Sequence, residues 1–218
     1  MLCGFAPIEL SIALAEQNGW LELARHLKLT GLANTVRWAL EEKNHKTPTN
    51  LPNHLRVIGE LYANTGGVYV ALLMNYITLK PGQAMFLEPG NVHSYLSGLA
   101  VEVMSSSDNV MRAAFTSKHV DLQEFFATAK IDSHLPKQVT QRDSSTNKVD
   151  YEIQHAPFSV QKITADSAMT IQANHEVELC LCVQGHSGDL HQGQACILRR
   201  HEVLQLEKDS VVFRVWGN

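Results

Sequence analysis

The chain has 218 residues, of which 44% are hydrophobic and 18% are charged. That is enough apolar material for one large domain or two small ones. The net charge of −4, with no basic cluster longer than Arg199-Arg200-His201, excludes a protein that binds nucleic acid through a basic surface.

The first third of the chain has the apolar spacing of helices. Ile8 to Gln17 is predicted as a helix that ends at Asn18-Gly19, and three more are predicted over residues 20–27, 34–43 and 50–63. The apolar run 68–74 is much shorter than the about 20 residues that span a bilayer. The first residues lack the pattern of a secretory signal, so we expect a cytosolic protein without a membrane segment.

After residue 74 the pattern is typical of short strands separated by turns that contain Pro or Gly, which indicates a sandwich or small barrel. A short helix is predicted over residues 120–129, with Asp121 as its cap. The polar stretch 133–150 is interpreted as a linker or long surface loop. The predicted strands before and after it cover residues 77–79, 84–87, 93–96, 99–104, 158–160, 169–171, 177–183, 195–198, 202–206 and 211–216.

The four cysteines, Cys3, Cys180, Cys182 and Cys196, form no C-x-x-C pair, so the sequence does not support a zinc ribbon or a thioredoxin-like site. Cys180 and Cys182 are two residues apart, which places both on one face of a strand. We interpret the cysteines as small buried side chains in a reducing compartment.

His93 follows the turn Pro89-Gly90-Asn91 and begins a predicted strand, and Tyr95 points to the same face of that strand. A His and a Tyr side by side at the mouth of a barrel could bind a metal and a hydroxylated ligand. The alternative is a surface or core His that is hydrogen-bonded to a neighbour.

Glu102 lies between Val101 and Val103 and therefore faces the opposite way from them. If it faces a polar cavity, it is a candidate for proton transfer; if it faces water, it is an ordinary surface residue. Arg112 suits a phosphate or a developing oxyanion, because its guanidinium gives two parallel hydrogen bonds. The alternative is a structural ion pair between Asp108 and Arg112. Lys118 is an ordinary surface residue unless a phosphate lies nearby.

The order of these residues is more informative than any one of them. Residues 79–121 resemble the later part of a type I phosphomannose isomerase, and Leu2-Cys3-Gly4-Phe5-x-Pro7 resembles the family's entry into its helical segment. The run that carries the resemblance contains Leu79-x-Pro81-Gly82, Pro89-Gly90-Asn91-Val92-His93-x-Tyr95-Leu96-x-Gly98, Val101-Glu102-Val103-Met104 and Ser107-Asp108-Asn109-Val110-x-Arg112-Ala113.

The resemblance implies a mainly β fold of cupin-like (RmlC-like jelly-roll) barrels with an N-terminal α-helical insert. The expected domains are a helical segment (1–75), part of the catalytic barrel (76–132), the linker (133–150) and a second barrel (151–218). The implied reaction interconverts mannose 6-phosphate and fructose 6-phosphate through an enediol, in a cytoplasmic zinc enzyme. By position, His93 corresponds to a zinc ligand, Arg112 and Glu102 to catalytic residues, and Tyr95 and Lys118 to substrate-binding residues.

The chain departs from the family at the metal. A catalytic zinc takes about three protein ligands, and the family's Gln-x-His pair and its Glu within Lys-Pro-Glu have no counterpart here. Three hypotheses follow: an isomerase whose N-terminal part is missing from this chain, a non-catalytic binding or interaction module, and a subunit completed in trans by another chain. We expect little activity from the isolated chain, and self-association through exposed barrel edges.

Overall fold

The change from a helical to a strand-like pattern near residue 74 is also found in the computed structural model, which describes residues 1–107 and 109–218. A 3-10 turn, Asn53–Leu55, precedes the third helix. The α-helices of the described residues are α1 (Ile8–Gln17), α2 (Leu21–Glu41), α3 (Arg56–Leu61), α4 (Gly66–Leu72) and α5 (Leu122–Thr128). None of them is both long and apolar enough to cross a bilayer.

The strands lie mostly in the last third of the chain. They are β1 (Leu2–Phe5), β2 (Met74–Tyr76), β3 (His93–Ser94), β4 (Thr140–Ser145), β5 (Lys148–Glu152), β6 (Phe158–Thr164), β7 (Met169–Gln172), β8 (Val177–Gln184), β9 (His186–Ser187), β10 (Leu190–His191), β11 (Ala195–Arg199), β12 (Val203–Leu206) and β13 (Val211–Gly217).

The chain divides into two units. The first, here called the helical unit, contains Met1–Leu79, Leu87–Ala100 and Ser107–Lys137. Its small antiparallel sheet has the order β2-β1-β3, and all four residues of β1 are buried. Helices α1, α2 and α4 pack around the apolar core, whose fully buried large side chains include Phe5, Leu23, Leu27, Val36 and Leu73.

The predicted helices agree with this unit in part, because α4 is not predicted and the helix predicted over residues 50–63 is the shorter α3 with the 3-10 turn before it. α1 has the predicted bounds, and Asp121 caps α5 by accepting a hydrogen bond from the amide of Glu124 at 3.0 Å. The predicted helices 20–27 and 34–43 are two parts of α2, which is broken at Gly31. Gly31 has φ +76 and ψ 177, a non-helical conformation that glycine adopts without steric cost.

The second unit, here called the sheet unit, contains Lys80–Phe86, Val101–Ser106 and Gln138–Asn218. Its main sheet is antiparallel, with the strand order β11-β8-β13-β6-β5-β4, and two further pairs are β12-β7 and β10-β9. Strand β8 alternates: Cys180 and Cys182 are buried on one face, as predicted, and Val177 and Leu179 are exposed on the other. Burial raises the pKa of the Cys180 thiol to about 12, which makes it unreactive at neutral pH.

Three of the predicted strands need correction. Residues 77–79, 84–87 and 99–104 form no regular strand, apart from one bridge between Met85 and Gln138. A strand requires a partner for its backbone groups, and the described residues offer these runs almost none.

The stretch 133–150 is not simply a linker or loop, because it contains β4 and the start of β5. Every residue of β4 is exposed, and it forms an edge of the main sheet. An edge strand exposed on both faces needs no apolar residues, which explains why its polar composition suggested a loop. The domain boundaries at 75, 132 and 150 stay a prediction.

Candidate functional site

The turn before His93 is a type II β-turn formed by Glu88, Pro89, Gly90 and Asn91. The amide of Asn91 donates to the carbonyl of Glu88 at 3.1 Å, and Gly90 has φ +81, as the third position of this turn requires. The turn packs closely on the end of α5: a Cβ on Gly90 would lie 2.7 Å from the carbonyl oxygen of Thr128. The position of the turn before β3 is therefore fixed both by its backbone conformation and by its packing on α5.

His93 begins β3, which pairs with β1, so that His93 lies opposite Cys3. Its side chain is exposed, and Nδ1 lies 2.9 Å from the carbonyl oxygen of Asn91. A carbonyl only accepts, so Nδ1 carries the proton and Nε2 of the neutral ring keeps its lone pair. His93 thus presents a ring nitrogen that can accept a proton or bind a metal.

Tyr95 lies next to His93, as the two-residue period of a strand predicts. The two rings meet edge to face with their centroids 5.9 Å apart, and Tyr95 is 53% exposed. The structure therefore brings together two of the predicted site residues on one exposed surface of the helical unit.

Glu102 belongs to the sheet unit, unlike the other four predicted site residues. Its neighbour Val103 packs against the apolar cluster of Val139, Tyr151 and Val160, whereas Glu102 is exposed. The alternation predicted for residues 99–104 is present in the burial pattern only over residues 101–104, and these residues form no strand.

Arg112 and Lys118 lie on one irregular loop of the helical unit, here called the arginine loop (residues 109–119). Arg112 is half-buried and donates from Nη1 to the carbonyl of Val110 at 3.3 Å, whereas Lys118 is exposed. The predicted alternative of an ion pair between Asp108 and Arg112 lies outside the described residues.

No sequence pattern points to the residues that hold this loop. The hydroxyl of Tyr62 donates to the carbonyl of Phe115 at 3.0 Å, and the two rings pack edge to face at 5.1 Å. Phe115 has φ +57, which is unusual for a bulky residue. No sequence pattern indicates a left-handed phenylalanine, so only the structure could identify this contact.

A second cluster of charged residues lies inside the sheet unit. Glu178 is 0% exposed and Arg214 is 6% exposed. The guanidinium donates to the carboxylate through Nε, and through Nη2 at 2.7 Å, while the amides of Asn174 and His175 also donate to it. Burial alone would raise the pKa of Glu178, but the hydrogen bonds from Arg214 and His175 outweigh it and hold the pKa at about 2. With its acceptor positions filled by protein groups, this carboxylate is structural.

The predicted zinc does not fit the described residues. A catalytic zinc requires about three protein ligands, and residues 1–107 and 109–218 contain no group of three His, Cys, Asp or Glu side chains placed to hold a metal. His93 is therefore a single ligand without neighbours that complete a site.

Comparison with known proteins agrees with the resemblance seen in the sequence. No protein-family model matches the chain. It is 34% identical over 132 residues to mannose-6-phosphate isomerase of Escherichia coli K12, and 33% identical over 149 residues to that of Salmonella typhimurium. These matches cover 60% and 68% of this chain but only 34% and 38% of the relatives. The matched part of the chain thus spans little more than a third of the curated relatives.

Solved structures show the same fold over almost the whole chain. A variant of phosphomannose isomerase from Salmonella typhimurium matches with a TM-score of 0.81 at 22% identity, covering 100% of this chain and 64% of that one. The same enzyme bound to fructose 6-phosphate and zinc matches with a TM-score of 0.76 and covers 63% of that chain. The resemblance inferred from residues 79–121 and the mainly β, cupin-type fold are confirmed. The sheets of the described residues do not close into a barrel, contrary to expectation.

Proposed function

We propose that this chain supplies part of the active site of a mannose-6-phosphate isomerase, which interconverts mannose 6-phosphate and fructose 6-phosphate. One observation carries the proposal. The run in which the chain resembles these isomerases contains His93, Tyr95, Arg112 and Lys118, and the fold places all four in one unit with exposed or half-buried side chains. The relatives named for this activity share about a third of sequence positions with the chain in the matched region.

The reaction transfers a proton between C1 and C2 of the sugar through an enediol. Arg112 stays protonated throughout, so its role is to stabilise the negative charge that develops on the enediolate oxygen. Glu102 corresponds by resemblance to a catalytic residue of the family, but it belongs to the sheet unit, so this proposal for the helical unit gives it no step. Tyr95 offers a hydroxyl to the sugar, and Lys118 offers a positive charge to the phosphate.

Zinc has no step in this proposal, because the described residues do not form a site for it. A relative's structure holds zinc together with fructose 6-phosphate. We infer that a zinc near His93 would need ligands beyond the described residues, from a longer chain or from a partner in trans.

A second candidate is a binding or interaction module without catalysis. The lack of a three-ligand group among the described residues favours it. A coupled isomerase assay with added zinc separates the two. Robust turnover by the purified chain would exclude the non-catalytic module, and it would also contradict our expectation that the isolated chain has little activity.

Two further features belong to this proposal. The four cysteines are free, which suits the reducing cytosol as the location.

Val177, Leu179 and Ile197 expose apolar side chains on neighbouring strands at the β11 edge of the main sheet. We infer that the chain self-associates there at high concentration, and sedimentation over a range of concentrations would measure this.

The test of the proposal is the affinity for fructose 6-phosphate, measured by calorimetry or by amide shifts in nuclear magnetic resonance. Loss of a charged hydrogen-bonding group costs about tenfold or more in affinity, so Arg112→Ala should weaken binding by that factor. Arg56→Ala, which changes an exposed arginine of the same unit, is the matched control and should leave affinity unchanged. Equal affinities in wild type and Arg112→Ala would contradict the proposal.

A further inference from the structure

The arginine loop carries two side chains that the proposed function needs, yet its own structure is irregular. The hydrogen bonds described within it are local: Arg112 to the carbonyl of Val110, and the amide of Lys118 to Oγ1 of Thr116 at 3.0 Å. Bonds across two residues shape a loop but do not fix its position on the protein. Another contact must do so.

That contact lies at Phe115, midway between Arg112 and Lys118. Tyr62, at the end of α3, donates its hydroxyl to the carbonyl of Phe115 at 3.0 Å and packs its ring edge to face on the Phe115 ring. Tyr62 is itself fixed, because its carbonyl accepts from Oγ1 of Thr65 at 2.8 Å. The hydrogen bond joins residues 53 positions apart, so it ties the loop to the helical unit.

The loop also approaches a helix closely. A Cβ on Gly67, in the first turn of α4, would lie 2.7 Å from Cβ of Ala114 and 3.0 Å from Cε1 of Phe115. Such short distances leave no room for a side chain at position 67. Ala114 and Phe115 therefore rest directly on α4, and Phe115 packs against the apolar core of the unit.

The backbone of Phe115 supports the same interpretation. A non-glycine residue pays a conformational cost at φ +57 and keeps that conformation only where its surroundings enforce it. Here the surroundings are the Tyr62 hydroxyl, the Tyr62 ring and the close surface of α4. In this conformation Phe115 faces the core while Arg112 and Lys118 lie on either side of it along the loop.

We propose that Tyr62 and Phe115 are positioning residues, which anchor the arginine loop so that Arg112 and Lys118 are held ready for a sugar phosphate. The anchoring follows from the contacts alone, whereas the purpose of the anchor rests on the function proposed above. Neither residue needs to touch the substrate. The pair acts by reducing the number of loop conformations that binding would otherwise have to select.

The anchor is tested by limited trypsin digestion, since trypsin cleaves after Arg112 and Lys118. Tyr62→Phe removes the hydroxyl and keeps the ring, and we expect cleavage in the loop to become about fivefold faster, the effect of one lost hydrogen bond. Cleavage after the exposed Lys208 of the sheet unit is the internal reference. The matched control is Tyr76→Phe, in a tyrosine of the same unit that stacks on His54.

A merely structural role would speed cleavage in both units or in neither, so the ratio of loop cleavage to Lys208 cleavage is decisive. A ratio that is the same in wild type and Tyr62→Phe would overturn the anchor. A raised ratio in Tyr62→Phe, with no change in Tyr76→Phe, supports it.

The positioning role is tested by the affinity of the same variants for fructose 6-phosphate. We expect Tyr62→Phe to weaken binding about threefold to fivefold, less than Arg112→Ala. A loosened loop with unchanged affinity would overturn the positioning role. If the wild-type chain does not bind fructose 6-phosphate, the proposed function fails and the positioning role fails with it, whereas the cleavage ratio still decides the anchor.

Discussion

The two units of this chain differ in the burial and hydrogen bonding of their arginine side chains. In the sheet unit, Arg214 is buried against Glu178 and meets protein groups through both Nε and Nη2. In the helical unit, Arg112 lies half-buried on a loop with one local hydrogen bond described, and Lys118 on the same loop is exposed. The buried charge is satisfied by protein groups, whereas the charges on the arginine loop stay accessible, which suits the ligand role proposed for them.

The backbone elements that hold these side chains in place differ between the two units as well. Glu178 and Arg214 project from adjacent strands, β8 and β13, of a regular sheet. His93 and Arg112 depend on a glycine turn and on a left-handed phenylalanine. The comparison can be tested by removing one support at a time.

The largest effect should come from Glu178→Gln, which leaves the buried Arg214 without a counter-charge. Breaking a buried ion pair by removing one partner costs about 3–5 kcal/mol. Urea denaturation would measure the free energy of unfolding. Glu176→Gln, an exposed neighbour, is the matched control and should change it by no more than about 0.5 kcal/mol. Similar losses in the two variants would contradict the structural role of the pair.

The same pair predicts a pH dependence. Hydrogen bonds lower the pKa of Glu178 from its ordinary 4.5 to about 2 in the folded chain, in spite of burial, which acts to raise it. The stabilisation is therefore complete above about pH 4.5 and is lost as the pH falls through about 2. The difference in unfolding free energy between wild type and Glu178→Gln should shrink over that interval. A difference that stays constant with pH would show that the carboxylate charge is not its source.

A smaller effect is expected at the turn before His93. Gly90→Ala places a Cβ at φ +81 and 2.7 Å from the carbonyl oxygen of Thr128, and should cost about 2 kcal/mol. Gly82→Ala is the control, since Gly82 has φ +86 but no atom within 4 Å of the added Cβ, and should cost about 1 kcal/mol. The difference between the melting temperatures of the two variants measures the effect of the packing on Thr128. Equal melting temperatures would argue against that packing.

The smallest effect should come from zinc. One imidazole holds zinc weakly, so added zinc should not raise the melting temperature, and metal analysis after gel filtration should give much less than one zinc per chain. His93→Ala should behave as wild type in both measurements. One tightly held zinc per chain would mean that ligands were missed.

The sequence predicted what depends on local periodicity. The bounds of α1, the Asp121 cap of α5 and the strands β6, β7, β8, β11, β12 and β13 follow from apolar spacing and turn residues. The contact between the side chains of His93 and Tyr95 follows from the two-residue period of a strand.

What the sequence could not predict depends on contacts between distant residues. The run 99–104 alternates like a strand but has no strand to pair with, and β4 is a strand despite its polar composition, because it pairs with β5. The conformation of Phe115 depends on Tyr62, 53 residues earlier. The assignment of Glu102 to the sheet unit likewise follows from the packing of its neighbour Val103.

The most direct test is a titration with fructose 6-phosphate that is followed residue by residue through backbone amide shifts. If the helical unit carries the substrate site, saturable shifts should appear at His93 and in the arginine loop. The core strands β8 and β13 of the sheet unit should stay unperturbed. The absence of saturable shifts in the arginine loop, or shifts confined to β8 and β13, would contradict the account.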